Sequence, residues 1–182
     1  RDRDVTGVQT CALPILKPEI IIAAMKPEHL SQVMVIEKKS FTVPWSEITY
    51  YREISENPYA IYIVALSREE VVGYAGRWLI LDESHITNIA VSPGWRRQGV
   101  GRKLLEHMLR TSLLDGANRM TLEVRRTNLG AQKLYQEFAF SAAGYRRGYY
   151  TDNNEDALIM WQYDIAAYFD RKEQIDGTDT GN

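Results

Sequence analysis

The chain has 182 residues, of which 45% are apolar and 25% are charged, and its formal net charge is −2. This composition is typical of a globular protein with one core, and it excludes polyanion binding driven by overall charge. The sequence has no apolar run of the ~18 residues that cross a bilayer and no signal-peptide core, so we expect a cytoplasmic protein without membrane or nucleic-acid partners.

The sequence gives no indication of a metal site. Its one cysteine, Cys11, cannot form an internal disulfide, which fits a reducing compartment. The three histidines, His29, His85 and His107, stand far apart, and none has the spacing of metal ligands. We therefore expect solvated or core histidines and no bound metal.

Hydrophobic periodicity predicts alternating helices and strands along the chain. In order, they are a strand at 20–24, a helix at 27–39, a short helix capped by Ser46, strands at 59–66, 71–81 and 85–91, a long helix at 99–114, a strand at 120–125, a helix at 128–138, and a hairpin with strands at 140–149 and 157–163. This order predicts an α/β fold with a mixed, mostly antiparallel sheet that contains βα crossovers. Residues 16–164 would form the single domain, residues 1–15 would be disordered or extraneous, and residues 165–182 would be a polar tail.

A turn rich in glycine and arginine joins the strand at 85–91 to the long helix. Gly99 and Gly101 would let the backbone approach a ligand closely, and the amides at the helix start form a phosphate-binding site. On local chemistry alone, a helix start that merely contains glycines remains an equal alternative. A P-loop is excluded because no Lys-Ser or Lys-Thr follows Gly101, and a dinucleotide fingerprint because Leu104 replaces its third glycine.

The remaining pattern, Arg-x-x-Gly-x-Gly at 96–101, resembles the one with which GNAT-superfamily acetyltransferases hold the pyrophosphate of coenzyme A. The Asn-Ile-Ala-Val segment at 88–91 resembles the bulged strand of that family. Three further segments, Pro-Trp-Ser-Glu at 44–47, Leu-Glu-Val-Arg at 122–125 and Gly-Tyr-Tyr at 148–150, together resemble one branch of it. That branch is the bacterial ribosomal-protein alanine N-acetyltransferases of the RimI type.

The resemblance covers roughly residues 20–163 and implies the GNAT fold, a mostly antiparallel sheet flanked by helices and splayed at the cofactor site. It implies acetyl-CoA as co-substrate and a protein N-terminus as acceptor, the alanine of a small-subunit ribosomal protein. One departure is Ala139, where the family usually has a glycine in the left-handed conformation at a helix end. A non-glycine residue in that conformation costs about 1 kcal/mol or more.

The resemblance also implies two catalytic residues. Glu123 would draw the proton from the amine, directly or through water, and Tyr135 would protonate the leaving thiolate. The residues alone favour other roles: strand alternation makes Glu123 an exposed partner for Arg125 or Arg126, and helical spacing makes Tyr135 a core aromatic. In this family the amide of Val91 would bind the oxyanion.

Two sets of binding residues follow from the same resemblance. The cofactor would contact Ile89, Ala90, Val91, Arg97, Gln98, Gly99, Val100, Gly101, Arg102 and Asn128. The acceptor would contact Pro44, Trp45, Tyr149 and Tyr150. Burial of Ile89, Ala90 and Val91 in the strand is compatible with their contacting the cofactor. Capping of the next helix by Asn128 and packing of aromatic loops onto the sheet remain equal alternatives for the other residues.

Amine chemistry favours an N-terminal acceptor. An α-amine has a pKa of about 7.7–8.0 and a lysine amine of about 10.4, so the α-amine is more easily deprotonated at neutral pH. A GNAT enzyme that acetylates lysine or a small amine remains one alternative, and a non-catalytic module that binds CoA or a protein partner is another. The presence of both Glu123 and Tyr135 argues against the second.

Overall fold

The computed structural model describes residues 19–178 and their side chains up to residue 175, so the expected extra segment 1–15 lies outside the described residues. The elements are β1 (Ile21–Ala24), α1 (Leu30–Ser40), α2 (Glu47–Ser55), β2 (Ala60–Ser67), β3 (Glu70–Ile80), β4 (Glu83–Val91), α3 (Val100–Leu114), β5 (Arg119–Arg125), α4 (Leu129–Glu137), β6 (Ser141–Tyr150), β7 (Glu155–Gln162) and α5 (Ile165–Thr178). Short 3₁₀ turns at Pro27–His29 and Pro93–Trp95 precede α1 and α3. Within this part of the chain, no helix is long and apolar enough to span a membrane.

The strands form one sheet in the order β1-β2-β3-β4-β5-β7-β6. All neighbours pair antiparallel except β4 and β5, which are parallel because α3 carries the chain back across the sheet. Pairing between β4 and β5 ends at His85 and Thr121. Beyond these residues the two strands separate, which confirms the expected splay and opens a space at the centre of the sheet.

Two apolar clusters cover opposite faces of the sheet. Adjacent residues of β3 point into different clusters, Val72 into one beneath α3, α4 and α5, and Val71 into one beneath α1 and α2. The predicted apolar face of α3 is confirmed for Val100, Leu104, Leu105, Met108 and Leu109, which are buried, whereas Leu113 is partly buried. Each such side chain contributes about 1.5–3 kcal/mol when fully buried.

The expected polar tail is wrong for its first part, which forms α5. Ile165 and Phe169 are buried in the cluster beneath α3. The backbone amide of Ile165 donates to the carbonyl of Asn118 at 3.0 Å, and Asp164 Oδ1 accepts from the amide of Ala167 at 3.0 Å. The signal was present in the sequence, because a capping aspartate followed by apolar residues at helical spacing marks a helix start.

The end of α4 adopts the left-handed turn that the family resemblance implies. Ala139 has φ = 62°, and the next amide, of Phe140, donates to the carbonyl of Tyr135 at 3.1 Å. A glycine would adopt this conformation without steric cost. The left-handed conformation of Ala139 therefore destabilises the fold slightly, at a turn that holds the last residues of α4 against the core.

Candidate active site

Two connected cavities lie where β4 and β5 separate. The Glu123 cavity, of about 420 Å³, is enclosed by these strands, the α1–α2 loop and the β6–β7 turn. The glycine-turn cleft, of about 710 Å³, runs from the end of β4 past the turn at 94–99 to one side of α4. Ser40, Phe41, Ile89, Asn128 and Tyr135 line both cavities. The structure thus joins a cleft along the glycine turn to a pocket that contains a carboxylate.

The glycine turn is suited to bind an anionic group. Gly99 precedes α3 with φ = 85°, and it provides no side-chain cap for the amides of the first turn. A Cβ atom added at Gly99 would meet nothing within 4 Å, so the space above this backbone is open to a ligand. Arg97 and Arg102 line the same cleft. First-turn amides, the helix dipole and the guanidinium groups together fit a pyrophosphate.

Most of the predicted cofactor contacts line the glycine-turn cleft. They are Ile89, Ala90, Val91, Arg97, Gly99, Gly101, Arg102 and Asn128. The other two have side chains directed elsewhere: Gln98 donates to the carbonyl of Gly94 at 2.8 Å, and Val100 is buried in the core. Contacts of Gln98 and Val100 with a cofactor therefore stay predictions that involve their backbone amides alone.

Asn128 begins α4 as its cap. Its Oδ1 accepts a hydrogen bond from the backbone amide of Ala131 at 3.1 Å. Capping, one of the two roles that the sequence allowed, is therefore present. Because Asn128 also lines both cavities, contact with a cofactor remains a prediction that is compatible with capping.

Glu123 lies on the face of β5 opposite Leu122 and Val124, as strand alternation predicts. Its expected partners are wrong, however, because Arg125 and Arg126 pair with other carboxylates. Glu123 Oε1 instead lies 3.3 Å from an Nη atom of Arg146 on β6. The Arg146 side chain is 58% exposed, so this ion pair contributes little to stability and leaves the carboxylate accessible in the cavity.

Tyr135 is a core residue that also lines both cavities, and its role as the acid stays a prediction. The ring is buried on α4, where it contacts Phe140 with ring centroids 5.9 Å apart. Tyr135 also lines the junction of the two cavities. Burial raises the pKa of the Tyr135 hydroxyl, and Tyr150 raises it further, so this hydroxyl is protonated at neutral pH. Among the described residues, none forms a hydrogen bond with this hydroxyl, which leaves its proton available to a ligand in the cavities.

Tyr135→Phe is expected to lower kcat while the midpoint of thermal unfolding stays nearly constant. The substitution keeps the buried ring and removes a hydroxyl that no described residue binds, so packing is preserved. Tyr62→Phe is the matched control, because its hydroxyl lies 2.9 Å from that of Thr87, and this variant should unfold at a lower temperature. Equal rates together with reduced stability in Tyr135→Phe would show that Tyr135 is only a core residue.

Three of the four predicted acceptor contacts line the Glu123 cavity. These are Trp45, Tyr149 and Tyr150, whereas Pro44 is not part of the lining. The backbone amide of Trp45 donates to Glu37 Oε1 at 2.8 Å, which fixes the loop that carries the indole ring. The rings of Tyr149 and Tyr150 pack edge to face with centroids 5.1 Å apart. Together these aromatic residues form rigid walls around the carboxylate.

Sequence reasoning missed the role of Arg125. Its guanidinium stacks 3.9 Å from the centroid of the Tyr150 ring and donates to Asp152 at 2.9 Å and to Thr42 at 3.4 Å. The Thr42 hydroxyl also donates to Asp152, and this bond, followed by Arg125, lowers the pKa of that carboxyl. Arg125 therefore ties the β6–β7 turn to the α1–α2 loop across the cavity.

Glu37 is a second missed residue. It is buried on the apolar face of α1 and lines the Glu123 cavity. Its carboxylate accepts hydrogen bonds from the hydroxyls of Tyr50 and Tyr74 as well as from the Trp45 amide. Its position at helical spacing among apolar residues was the available signal, because a buried acid needs donors nearby.

Within residues 19–178, no group of three or more histidine, cysteine, aspartate or glutamate side chains is placed to hold a metal ion.

Comparison with known proteins gives a consistent result. A family model of the acetyltransferase (GNAT) family matches residues 30–140. A Bacillus subtilis protein provisionally named as a [ribosomal protein bS18]-alanine N-acetyltransferase is 42% identical over 146 residues, which are 80% of this chain and 97% of that protein. The crystal structure of the ribosomal-protein-S18-alanine N-acetyltransferase from Escherichia coli matches with a TM-score of 0.72 and 34% identity, over 79% of this chain and 92% of that one. Arabidopsis thaliana NAA60 in complex with acetyl-CoA shares the fold, with a TM-score of 0.72 and 15% identity over 80% of this chain and 99% of that one.

Proposed function

This chain belongs to the acetyltransferase (GNAT) family, and we propose that it transfers the acetyl group of acetyl-CoA to the α-amine of an N-terminal alanine of a ribosomal protein. The relatives at 34–42% identity carry names that specify this acceptor. A ribosomal acceptor would place the reaction in the cytoplasm. The acetyltransferase domain in this proposal comprises residues 16–164 together with α5.

The observation that carries the proposal is the position of Glu123 and Tyr135 around one cavity that opens, at Tyr135, into the glycine-turn cleft. In this arrangement a pyrophosphate on the first turn of α3 would direct its thioester arm along Ile89 and Val91 towards the junction. The acceptor amine would enter from the side of Trp45 and Tyr149. Donor and acceptor would then meet between a base and an acid.

Each group in the junction has a defined task in the proposed reaction. The Glu123 carboxylate accepts a proton from the attacking amine, directly or through water. The backbone amide of Val91 stabilises the oxyanion that forms when the amine adds to the thioester carbonyl. The Tyr135 hydroxyl donates a hydrogen bond to the sulfur as the C–S bond breaks. Because its pKa is raised above that of a thiol, the proton moves only as negative charge develops on sulfur.

The aromatic walls of the Glu123 cavity support an extended N-terminus as acceptor. Trp45, Tyr149 and Tyr150 surround the carboxylate, and Arg125 holds the turn and the loop together over it. A free N-terminus with a small first side chain can enter such a slot. A lysine side chain on a folded surface can enter the cavity only if the residues around it approach the rim of the cavity. The joined turn and loop obstruct that approach.

We expect peptides that begin with alanine to be acetylated on the α-amine in preference to internal lysines. The test is turnover of acetyl-CoA with a panel of N-terminal and lysine peptides, with the acetylated atom located by mass spectrometry. Trp45→Ala should raise the peptide KM without changing acetyl-CoA affinity, because it removes part of the acceptor wall. Tyr59→Ala, which removes an exposed aromatic ring outside both cavities, is the control and should change neither value. Acetyl groups found mainly on lysine side chains would refute the proposed acceptor while leaving membership of the family intact.

A further inference from the structure

The polar side chains of the Glu123 cavity differ in whether the protein satisfies them. Glu37 accepts three hydrogen bonds, and Glu123 and Asp152 each have an arginine partner. Asn88 lines the same cavity, yet its Oδ1 atom is buried and receives no hydrogen bond from the described residues. A buried amide oxygen without a donor is destabilising, and an instance beside a binding cavity calls for a donor from a ligand.

A β-bulge explains why Asn88 faces this cavity. Between β3 and β4, Ile86 pairs with Arg77 and Asn88 pairs with Gly76, so Thr87 is an extra residue in β4. Residues two apart on a regular strand share a face, but here Ile86 joins the cluster beneath α3, whereas Ala90, two residues after Asn88, joins the cluster beneath α1 and α2. Asn88 therefore lies on the face of Ala90, opposite that of Ile86.

The position of Tyr62 confirms this orientation. Asn88 is paired with Gly76, and a Cβ atom at Gly76 would lie 2.0 Å from the ring of Tyr62, which belongs to the cluster beneath α1 and α2. The Tyr62 hydroxyl lies 2.9 Å from that of Thr87, so the extra residue has an internal partner. The Thr87 side chain is therefore bound within the fold, and the bulge directs the Asn88 side chain towards the Glu123 cavity.

We propose that Asn88 is a specificity-determining residue, whose Oδ1 accepts a hydrogen bond from the peptide N–H of the second residue of the acceptor. This proposal rests on the proposed function. In a peptide N-terminus, only Cα and the carbonyl carbon separate the reacting amine from that N–H. In a lysine acceptor, the whole methylene chain separates the reacting amine from the nearest backbone N–H. An amine held near Glu123 can therefore bring a peptide N–H to Asn88 only when it is an α-amine.

The contact also fixes the direction of attack. When the peptide unit is bound to Asn88 on β4, only the bonds of one Cα atom connect it to its own α-amine. This short connection limits the orientations that the amine can adopt near Glu123 on β5. Asn88 acts on acceptor binding and does not take part in proton transfer.

The test removes the proposed hydrogen bond in two ways, by changing the acceptor peptide and by replacing Asn88. A depsipeptide that begins with alanine, with an ester oxygen in place of the second-residue N–H, is compared with the amide peptide in the wild-type enzyme and in Asn88→Ala. We expect the ratio of kcat/KM for amide over ester to be roughly tenfold larger in the wild type, as for a neutral hydrogen bond lost beside a buried group. The lower amine pKa of an ester affects both enzymes equally and cancels in this comparison.

Asn88→Ala should also raise the KM of the amide peptide, leave kcat/KM for an internal-lysine peptide unchanged, and unfold at the same or a higher temperature than the wild type. Thr87→Val is the matched control: it loses an internal hydrogen bond and stability, but it should keep the wild-type preference for amide over ester. An equal amide-to-ester ratio in the wild type and Asn88→Ala overturns the role of Asn88 while α-amine acetylation by the wild type sustains the proposed function. Acetylation by the wild type mainly on lysine side chains overturns both.

Discussion

Glu123→Gln lowers kcat by about 10²–10⁴-fold at neutral pH if Glu123 is the general base. Glutamine keeps the size of the side chain but cannot accept the proton of the amine. Glu123 does not line the glycine-turn cleft, so acetyl-CoA affinity should be nearly unchanged. The deficit should be largest at low pH and narrow as the pH rises above about 8, because the α-amine then loses its proton to solvent.

The measurement is kcat as a function of pH, with acetyl-CoA affinity determined separately by calorimetry. Arg146→Ala is the matched control, since it removes the ion-pair partner 3.3 Å from Glu123 and keeps the carboxylate. We expect this control to have a small effect, because the pair is exposed. Equal losses in the two variants, or a wild-type rate for Glu123→Gln at all pH values, would transfer the role to another group or to water.

Gly99→Asp should abolish acetyl-CoA binding by placing a carboxylate where we assign the pyrophosphate. A like charge at ~4 Å and an effective dielectric constant of ~20 costs about 4 kcal/mol, which corresponds to a loss of affinity of roughly 1,000-fold. Calorimetric titration of acetyl-CoA measures this loss directly. Unchanged affinity would overturn the pyrophosphate assignment at the start of α3.

Two controls separate charge from backbone strain. Gly99→Asn has the same shape without the charge, and asparagine tolerates the left-handed conformation that φ = 85° requires, so it should bind acetyl-CoA better than Gly99→Asp. Gly116 follows the other end of α3 with φ = 87° and equally open space. Gly116→Asp should therefore retain acetyl-CoA affinity.

The Asn88 contact would divide substrate recognition between two strands. Glu123 on β5 acts on the amine itself, whereas Asn88 on β4 would read the peptide unit next to it. These strands separate after His85 and Thr121, so the acceptor would lie in the gap between them. The splay of the sheet would then provide the acceptor site as well as the passage to the glycine-turn cleft.

Local sequence signals determined much of the fold. The apolar face of α3, the cap of α2 by Ser46 and the final hairpin are all present as predicted. Such features depend on residues within a few positions of one another, where helix and strand periods and turn chemistry act directly. The glycine turn was recognisable for the same reason. The helix α5 was missed although Asp164 and the apolar residues after it gave the same kind of signal.

Only the tertiary structure decided which groups meet in the cavity. The partner of Glu123 is Arg146 because β7 lies between β5 and β6 and fixes their relative register, whereas chain proximity had suggested Arg125 or Arg126. Arg125 joins Thr42 to Asp152, residues that lie far apart along the sequence. Sequence alone thus determined the elements and the glycine turn, since these depend on neighbouring residues. The acceptor side depends on strand register, on one bulge and on loops that meet across the sheet, which are set only when the whole chain packs.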